Sequence, residues 1–99
     1  MPALLDDAEI RTALTAMPGW AGGTDAIRRT VSAPDFPTAI RIVDDVAVIA
    51  EELDHHPDID IRWRKLRFTL STHSKGGVTG YDLTLARRID EVAGKHGAT

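Results

Sequence analysis

Residues 35–70 read DFPTAIRIVDDVAVIAEELDHHPDIDIRWRKLRFTL, and the fold turns on where the periodicity of this stretch changes. From Asp35 to about Asp54 the apolar residues recur at helical spacing. On a wheel of about 100° per residue, Phe36, Ala39, Ile40, Ile42, Val43, Val46, Ala47, Ile49, Ala50 and Leu53 fall on an arc of roughly 180°, wider than the ~100° stripe of a surface helix. Such a helix packs against more than one neighbour. Glu51 lies at the edge of the arc, whereas Glu52 points into the polar face with Arg41 and Asp45, so these adjacent carboxylates are not equivalent. His55-His56-Pro57 ends the helix, because proline disfavours the α conformation at the residue before it. The period then drops to two. Ile59, Ile61 and Trp63 alternate with Asp58, Asp60 and Arg62, then Leu66, Phe68 and Leu70 alternate with Arg67 and Thr69; the parity changes at Arg64-Lys65, the expected turn.

Upstream, Asp6 and Glu9 make a D-x-x-E start, Ile10, Leu14 and Met17 follow at helical spacing, and Pro18-Gly19 stops the run, so residues 6–17 are expected to form a short amphipathic helix. Gly22-Gly23 marks a turn. Ile27, Arg29 and Val31 alternate with Arg28, Thr30 and Ser32, which gives a hairpin of two modest strands before Pro34 and Pro37. Downstream, Ser74 to Gly77 is a glycine-containing loop. A final helix starts at Thr79, carries Leu85, Ala86, Ile89, Val92 and Ala93 on one face, and is expected to fray after Gly94. The element order α-β-β-α-β-β-α predicts an α+β fold, a four-stranded antiparallel sheet with helices packed on one face.

Ninety-nine residues without a repeat or a linker are read as one domain, 1–99. Twelve lysines and arginines against fifteen aspartates and glutamates leave a net charge of −3, which argues against a basic surface for nucleic acid and favours small molecules or protein partners. Without cysteine, the chain has no disulfide, thiolate nucleophile or cysteine-ligated zinc. MPALLDDAEI is unlike a secretory signal, and no apolar run of about 18 residues exists to span a bilayer, so a cytoplasmic protein without membrane contact is expected.

His55, His56 and His73 fall within 19 residues, all at junctions between elements. A histidine with a pKa near 6.5 both gives and takes protons at neutral pH, which suits acid and base catalysis. Read alone, His55 is a helix cap. A metal site is the rival reading, but the spacing matches no standard zinc signature and adjacent histidines do not readily chelate one ion, so no metal is expected. Asp82 is also out of pattern, in the middle of the stripe formed by Leu85, Ala86, Ile89 and Ala93. A carboxylate facing a core needs a partner, and Thr79-Gly80-Tyr81-Asp82 offers one structural answer, a T-x-x-D capping box. Trp63 reads first as a core or cross-strand residue and Glu51 as an edge charge. His96, in the tail, is given no role.

Together, Glu51-x3-His55-His56-Pro57-x5-Trp63-x9-His73-x8-Asp82 resembles the signature of the pterin-4a-carbinolamine dehydratases. Gly19-Trp20, Asp35-Phe36 with Ala39, Thr72-His73, Gly77-Val78-Thr79 and Leu85-Ala86 extend the resemblance over essentially the whole chain. Two positions depart from it: Arg64 stands where asparagine is common after the turn aromatic, and Trp63 where tyrosine is frequent. The resemblance implies a hydro-lyase that removes water from a 4a-hydroxytetrahydropterin to give the quinonoid dihydropterin, with the pterin as substrate and no cofactor. It implies proton transfer by His55 and His73, in an order left open, and substrate contact or base work by His56. Glu51, Pro57, Trp63, Thr72 and Asp82 would bind or orient. It further implies a homo-oligomer, tetramer or dimer. The alternative is a non-catalytic dimerisation cofactor that binds a protein partner through the long apolar helix.

Overall fold

The computed structural model describes residues 3–99. Helix α1 (Asp7–Thr15) is followed by strands β1 (Ala21–Gly22) and β2 (Ile27–Ser32), the long helix α2 (Phe36–Leu53), strands β3 (Asp58–Arg62) and β4 (Lys65–Leu70), a 3-10 turn (His73–Lys75) and helix α3 (Gly80–Lys95). The expected element order is thus observed. Each α-helix starts on an acidic or hydroxyl cap: Asp6 and Thr79 form capping boxes with Glu9 and Asp82, and the Asp35 carboxylate accepts the Thr38 N–H at 2.8 Å. Helix α2 stops at Asp54, whose left-handed backbone (φ 50°) lets the His55 N–H return to the Ala50 carbonyl at 3.0 Å.

The four strands are antiparallel in the order β1-β2-β4-β3. Alternation decides their faces. Ile27 and Val31 of β2 and Leu66, Phe68 and Leu70 of β4 point into the core with almost no exposure, and Val31 pairs with Leu66 and Ile27 with Leu70. Ala39, Ile42 and Val46 of α2 and Leu85, Ala86 and Ile89 of α3 close over them in one hydrophobic cluster. The opposite sheet face carries Arg28, Thr30, Lys65 and Arg67, and its helix-free surface is polar. Arg29 breaks the inner pattern, and Asp90 of α3 compensates: its Oδ1 accepts the Arg29 guanidinium at 2.5 Å and the Trp20 Nε1–H at 2.8 Å. Among the described residues, no helix is long and apolar enough to cross a membrane.

Four expectations are corrected. The first helix runs from Asp7 to Thr15, and Met17 is buried beyond its end, in the turn leading to Trp20. The hairpin turn is Trp63-Arg64, one residue earlier than the parity change suggested, because Arg62 pairs directly with Lys65. Trp63, rather than Arg64, takes the left-handed conformation (φ 54°) that a tight hairpin turn needs. The apolar arc on α2 suggests that Ile42, Ile49 and Leu53, toward one edge, need cover from another molecule, yet Ile42 and Ile49 are buried within the chain and Leu53 is half-buried, while Phe36 and Ala47 are exposed. The 180° arc is wide because sheet and α3 cover it from two directions. Finally, α3 does not fray at Gly94: it reaches Lys95, His96 caps it, and the His96 Nε2 meets the Asp45 carboxylate of α2 at 2.7 Å.

Two outcomes follow from this packing. Ile42→Glu puts an unpaired carboxylate into a fully buried position, at a cost comparable to the whole ~5–15 kcal/mol of a domain's stability, so loss of the cooperative melt in circular dichroism is expected. A folded Ile42→Glu protein would move this side chain out of the core. The hydrogen bond from His96 holds the Asp45 carboxyl below its ordinary value of 3.8. A depressed folded-state value stabilises fully above 3.8 and the gain is lost as pH falls through the lower folded value. On the acid side, the Tm difference between wild type and Asp45→Asn is therefore expected to shrink only below about pH 3.8.

Candidate active site

Three segments meet at one end of the sheet: the C-terminus of α2, the chain leaving β4, and the first turn of α3. The left-handed Asp54 ends α2, and Pro57 sends the chain into β3, which leaves His55 and His56 side by side at the rim. Thr72 caps the 3-10 turn that begins at His73, and a bridge to Gly77 closes this loop. His55, His56 and His73 all line a single open hollow of about 280 Å³, together with Pro57 and Thr72.

The centre of the site is Asp82, which is completely buried. Its Oδ2 accepts the Thr79 N–H at 2.9 Å, as the capping box requires, and the Thr72 hydroxyl at 2.8 Å. Its Oδ1 meets His55 Nε2 at 2.5 Å. The cap and the polar role are therefore not alternatives, because the two oxygens divide the work. Proton counting fixes the directions. The Thr72 hydroxyl gives its only proton to Asp82, so in the Thr72–Thr79 contact of 2.7 Å the Thr79 hydroxyl is the donor. Thr79 Oγ1 in turn accepts the Tyr81 N–H at 3.2 Å. With an ionised Asp82, His55 Nε2 carries the proton and donates it. Nδ1 is then the nitrogen of the neutral ring that takes up a further proton. It makes no hydrogen bond among the described residues, and none of their buried side-chain nitrogens or oxygens lacks a partner. Nδ1 therefore reaches solvent.

The second pair differs in kind. His56 Nε2 contacts the Glu51 carboxylate, but both side chains are more than half exposed, so the pair is readily reorganised and contributes little to stability. Glu52, its neighbour, turns away to within 4.0 Å of Arg88 on α3. His73 is exposed and has no side-chain partner among the described residues. Among those residues no group of three or more histidines, cysteines or carboxylates is disposed to hold a metal ion.

One candidate is not brought to the site. Trp63 sits at the β3–β4 turn, 70% exposed under the Arg64 guanidinium at 5.1 Å, and does not line the hollow. Conversely, Thr79, Tyr81 and Asp54 belong to the site but were not singled out for it. Tyr81 packs its ring against His55 with centroids 5.7 Å apart. The only sequence signal for Asp54 was its place just past a helix end, where a left-handed aspartate is tolerated.

A buried carboxylate backing one imidazole, beside two more in an open hollow, defines the class: a small α+β protein with a histidine-lined hollow. The comparisons give the family. The sequence profile described as pterin 4 alpha carbinolamine dehydratase matches residues 3–92, and the chain belongs to that family. A provisionally named pterin-4-alpha-carbinolamine dehydratase of Nocardia farcinica is 60% identical over 91% of this chain and 95% of its own length. One from Roseiflexus castenholzii is 53% identical over 93% of this chain and 99% of its own. The crystal structure of a transcriptional coactivator/pterin dehydratase from Brucella melitensis superposes with a TM-score of 0.85 at 38% identity, covering 90% of this chain and 97% of that one.

The double duty of Asp82 generates a test. Asp82→Asn keeps its one oxygen for the cap and presents an N–H donor to His55 Nε2, so the ring loses its fixed tautomer. Turnover at the site is expected to fall by about 10²-fold or more, while the stability loss stays within about 2 kcal/mol. Rate and Tm measured on the same preparation check it; unchanged turnover in a normally folded protein would leave Asp82 a cap alone.

Proposed function

We propose that this protein is a 4a-hydroxytetrahydropterin dehydratase, a hydro-lyase working by histidine acid and base catalysis. The observation that carries the reading is His55, held by buried Asp82 with Nδ1 free, in the same hollow as His56 and His73. Loss of water requires three coupled events at the pterin. The C4a–O bond breaks, a proton reaches the departing hydroxyl so that it leaves as water, and the N5 proton is removed as the N5=C4a double bond forms. An acid and a base placed around one ring are therefore needed, and imidazoles serve as either near neutral pH. Asp82 orients His55 and fixes its tautomer, and Glu51 contacts His56. His55 and His73 transfer the protons, and His56 contacts the substrate. Pro57 and Thr72 border the substrate, Thr72 also by bracing Asp82.

The reaction needs neither metal nor cofactor, because the leaving hydroxyl is activated by protonation rather than by a Lewis acid. We place the enzyme in the cytoplasm as a homo-oligomer, dimer or tetramer. Support for assembly comes from Phe36, Val48, Ile61 and Trp63, all between about 40% and 70% exposed on a single chain, and from the open edge of β3. A second reading, a protein-binding cofactor, draws on the word coactivator in the name of the Brucella structure and on exposed Val48 in the groove between α2 and α3.

A direct assay with synthetic 4a-hydroxytetrahydropterin separates these. The wild type is expected to accelerate dehydration, His55→Ala and His73→Ala each to lose about 10²-fold or more, and exhaustive chelation to leave the rate unchanged. No acceleration by a folded protein with its histidines intact would favour the binding role. Sedimentation at tens of micromolar reads the assembly, and a monomer there would remove the oligomer from this proposal.

A further inference from the structure

The histidine hollow is not isolated. A second hollow of about 340 Å³ adjoins it and shares Asp54, His55, Thr72 and Ser74, so His55 borders both. Away from these shared residues the second hollow is walled by Leu53, Lys75 and Tyr81. A small-molecule site occupies about 300–1,000 Å³, and the first hollow alone falls just short of that range. A bicyclic pterin over the histidines therefore leaves the second hollow unfilled.

The chemistry of the substrate says what reaches it. In a pterin, C6 is bonded to N5, one of the two reacting atoms, so any group on C6 departs directly from the reaction centre. Beside His55, the second hollow is the space such a group enters. Its most distinctive wall is Tyr81. The ring leans on His55 at a tilt of 50°, yet 47% of the residue remains exposed, an uncovered aromatic surface at a polar site. The ring is well placed, since the Tyr81 N–H is tied to Thr79 Oγ1 in the same network that holds Asp82. The rim charges do not select by sign. Lys75 and Asp54 both border the hollow, and among the described residues neither forms a side-chain ion pair within 4.0 Å. A purely anionic or purely cationic tail gains little there, whereas a flat apolar group covers Tyr81 and Leu53.

We propose that Tyr81 is a specificity-determining residue and that the second hollow receives an aryl substituent joined to C6 by a short linker, as in reduced folate-type pterins. This rests on the dehydratase reading of the histidine hollow. An aryl ring stacks on the exposed part of Tyr81 against the half-buried Leu53, and polar groups beyond it meet Lys75 and Ser74 at the rim. A short hydroxylated alkyl chain satisfies the rim but leaves the aromatic wall in water.

Calorimetric binding of three stable dihydro compounds tests this: 6-methyl-7,8-dihydropterin, 7,8-dihydrobiopterin with its dihydroxypropyl chain, and 7,8-dihydrofolate with its aryl tail. Dihydrofolate is expected to bind about tenfold more tightly than the 6-methyl compound, and more tightly than dihydrobiopterin. In Tyr81→Ala the ratio should fall toward one, and in Tyr81→Phe, which keeps the ring and its place in the helix cap, it should survive. Equal affinities in the wild type, a preference for dihydrobiopterin, or a Tyr81→Ala protein that retains the aryl preference would each overturn the proposal. The dehydration assay with the 6-methyl 4a-hydroxy substrate is run in parallel. Activity there without an aryl preference removes only the Tyr81 role, whereas no activity and no binding of any pterin removes the dehydratase reading along with it.

Discussion

Asp82 has no contact with water, and a buried carboxylate is tolerable only if its lone pairs are met by donors. Those donors come from three parts of the chain: the Thr79 backbone at the start of α3, the Thr72 hydroxyl after β4, and His55 at the end of α2. His55 is far along the chain from Thr72 and Thr79, so the carboxylate is satisfied only when α2 and α3 have taken their final places. The helix cap, the closure of the loop around His73 and the orientation of His55 are thus one event. Losing any donor would leave charge or hydroxyl unpaired in a dry setting, which is costlier than losing a surface contact.

That constraint makes the three histidines unequal. His55 is almost enclosed and its tautomer is set by Asp82, so it offers one nitrogen in one direction. His56 shares a mobile, hydrated contact with Glu51, and His73 is free to turn. A site with one rigid imidazole and two adaptable ones can fix the reacting end of a ring while accommodating proton movement around it. The uneven burial follows from position: His55 lies on the side of the α2 terminus that faces α3, whereas His56 and His73 lie on the rim.

Within the core, the sequence carried most of the fold. The change from a helical to a two-residue period at Pro57 placed α2 and β3, and the alternation of Leu66, Phe68 and Leu70 named the inner face of β4 correctly. The hairpin turn was displaced by one residue because Trp63, a bulky residue, occupies a left-handed position that local propensity assigns to glycine or asparagine. Strand register overrode that preference. The α2 arc showed how much apolar surface needed covering, but not by what, and Ile42 and Ile49 turned out to be covered by the chain itself.

At the site, the histidines, Asp82 and the capping box could be read directly, since each is a local pattern: a residue type at a helix end, or a spacing of three. Sequence by itself therefore determined the order of elements, the inward face of β4 and the residue types available for proton transfer. Tertiary structure alone decided that Asp82 and His55, 27 positions apart, are hydrogen-bonded, that two threonine hydroxyls brace them, that the Tyr81 ring packs against His55, and that Trp63 stands away from the hollow. The reason is one of range. Periodicity and capping act over a few residues and leave their mark in the chain, whereas a hydrogen bond between distant segments depends on how helices and sheet pack, and nothing in local spacing records that distance.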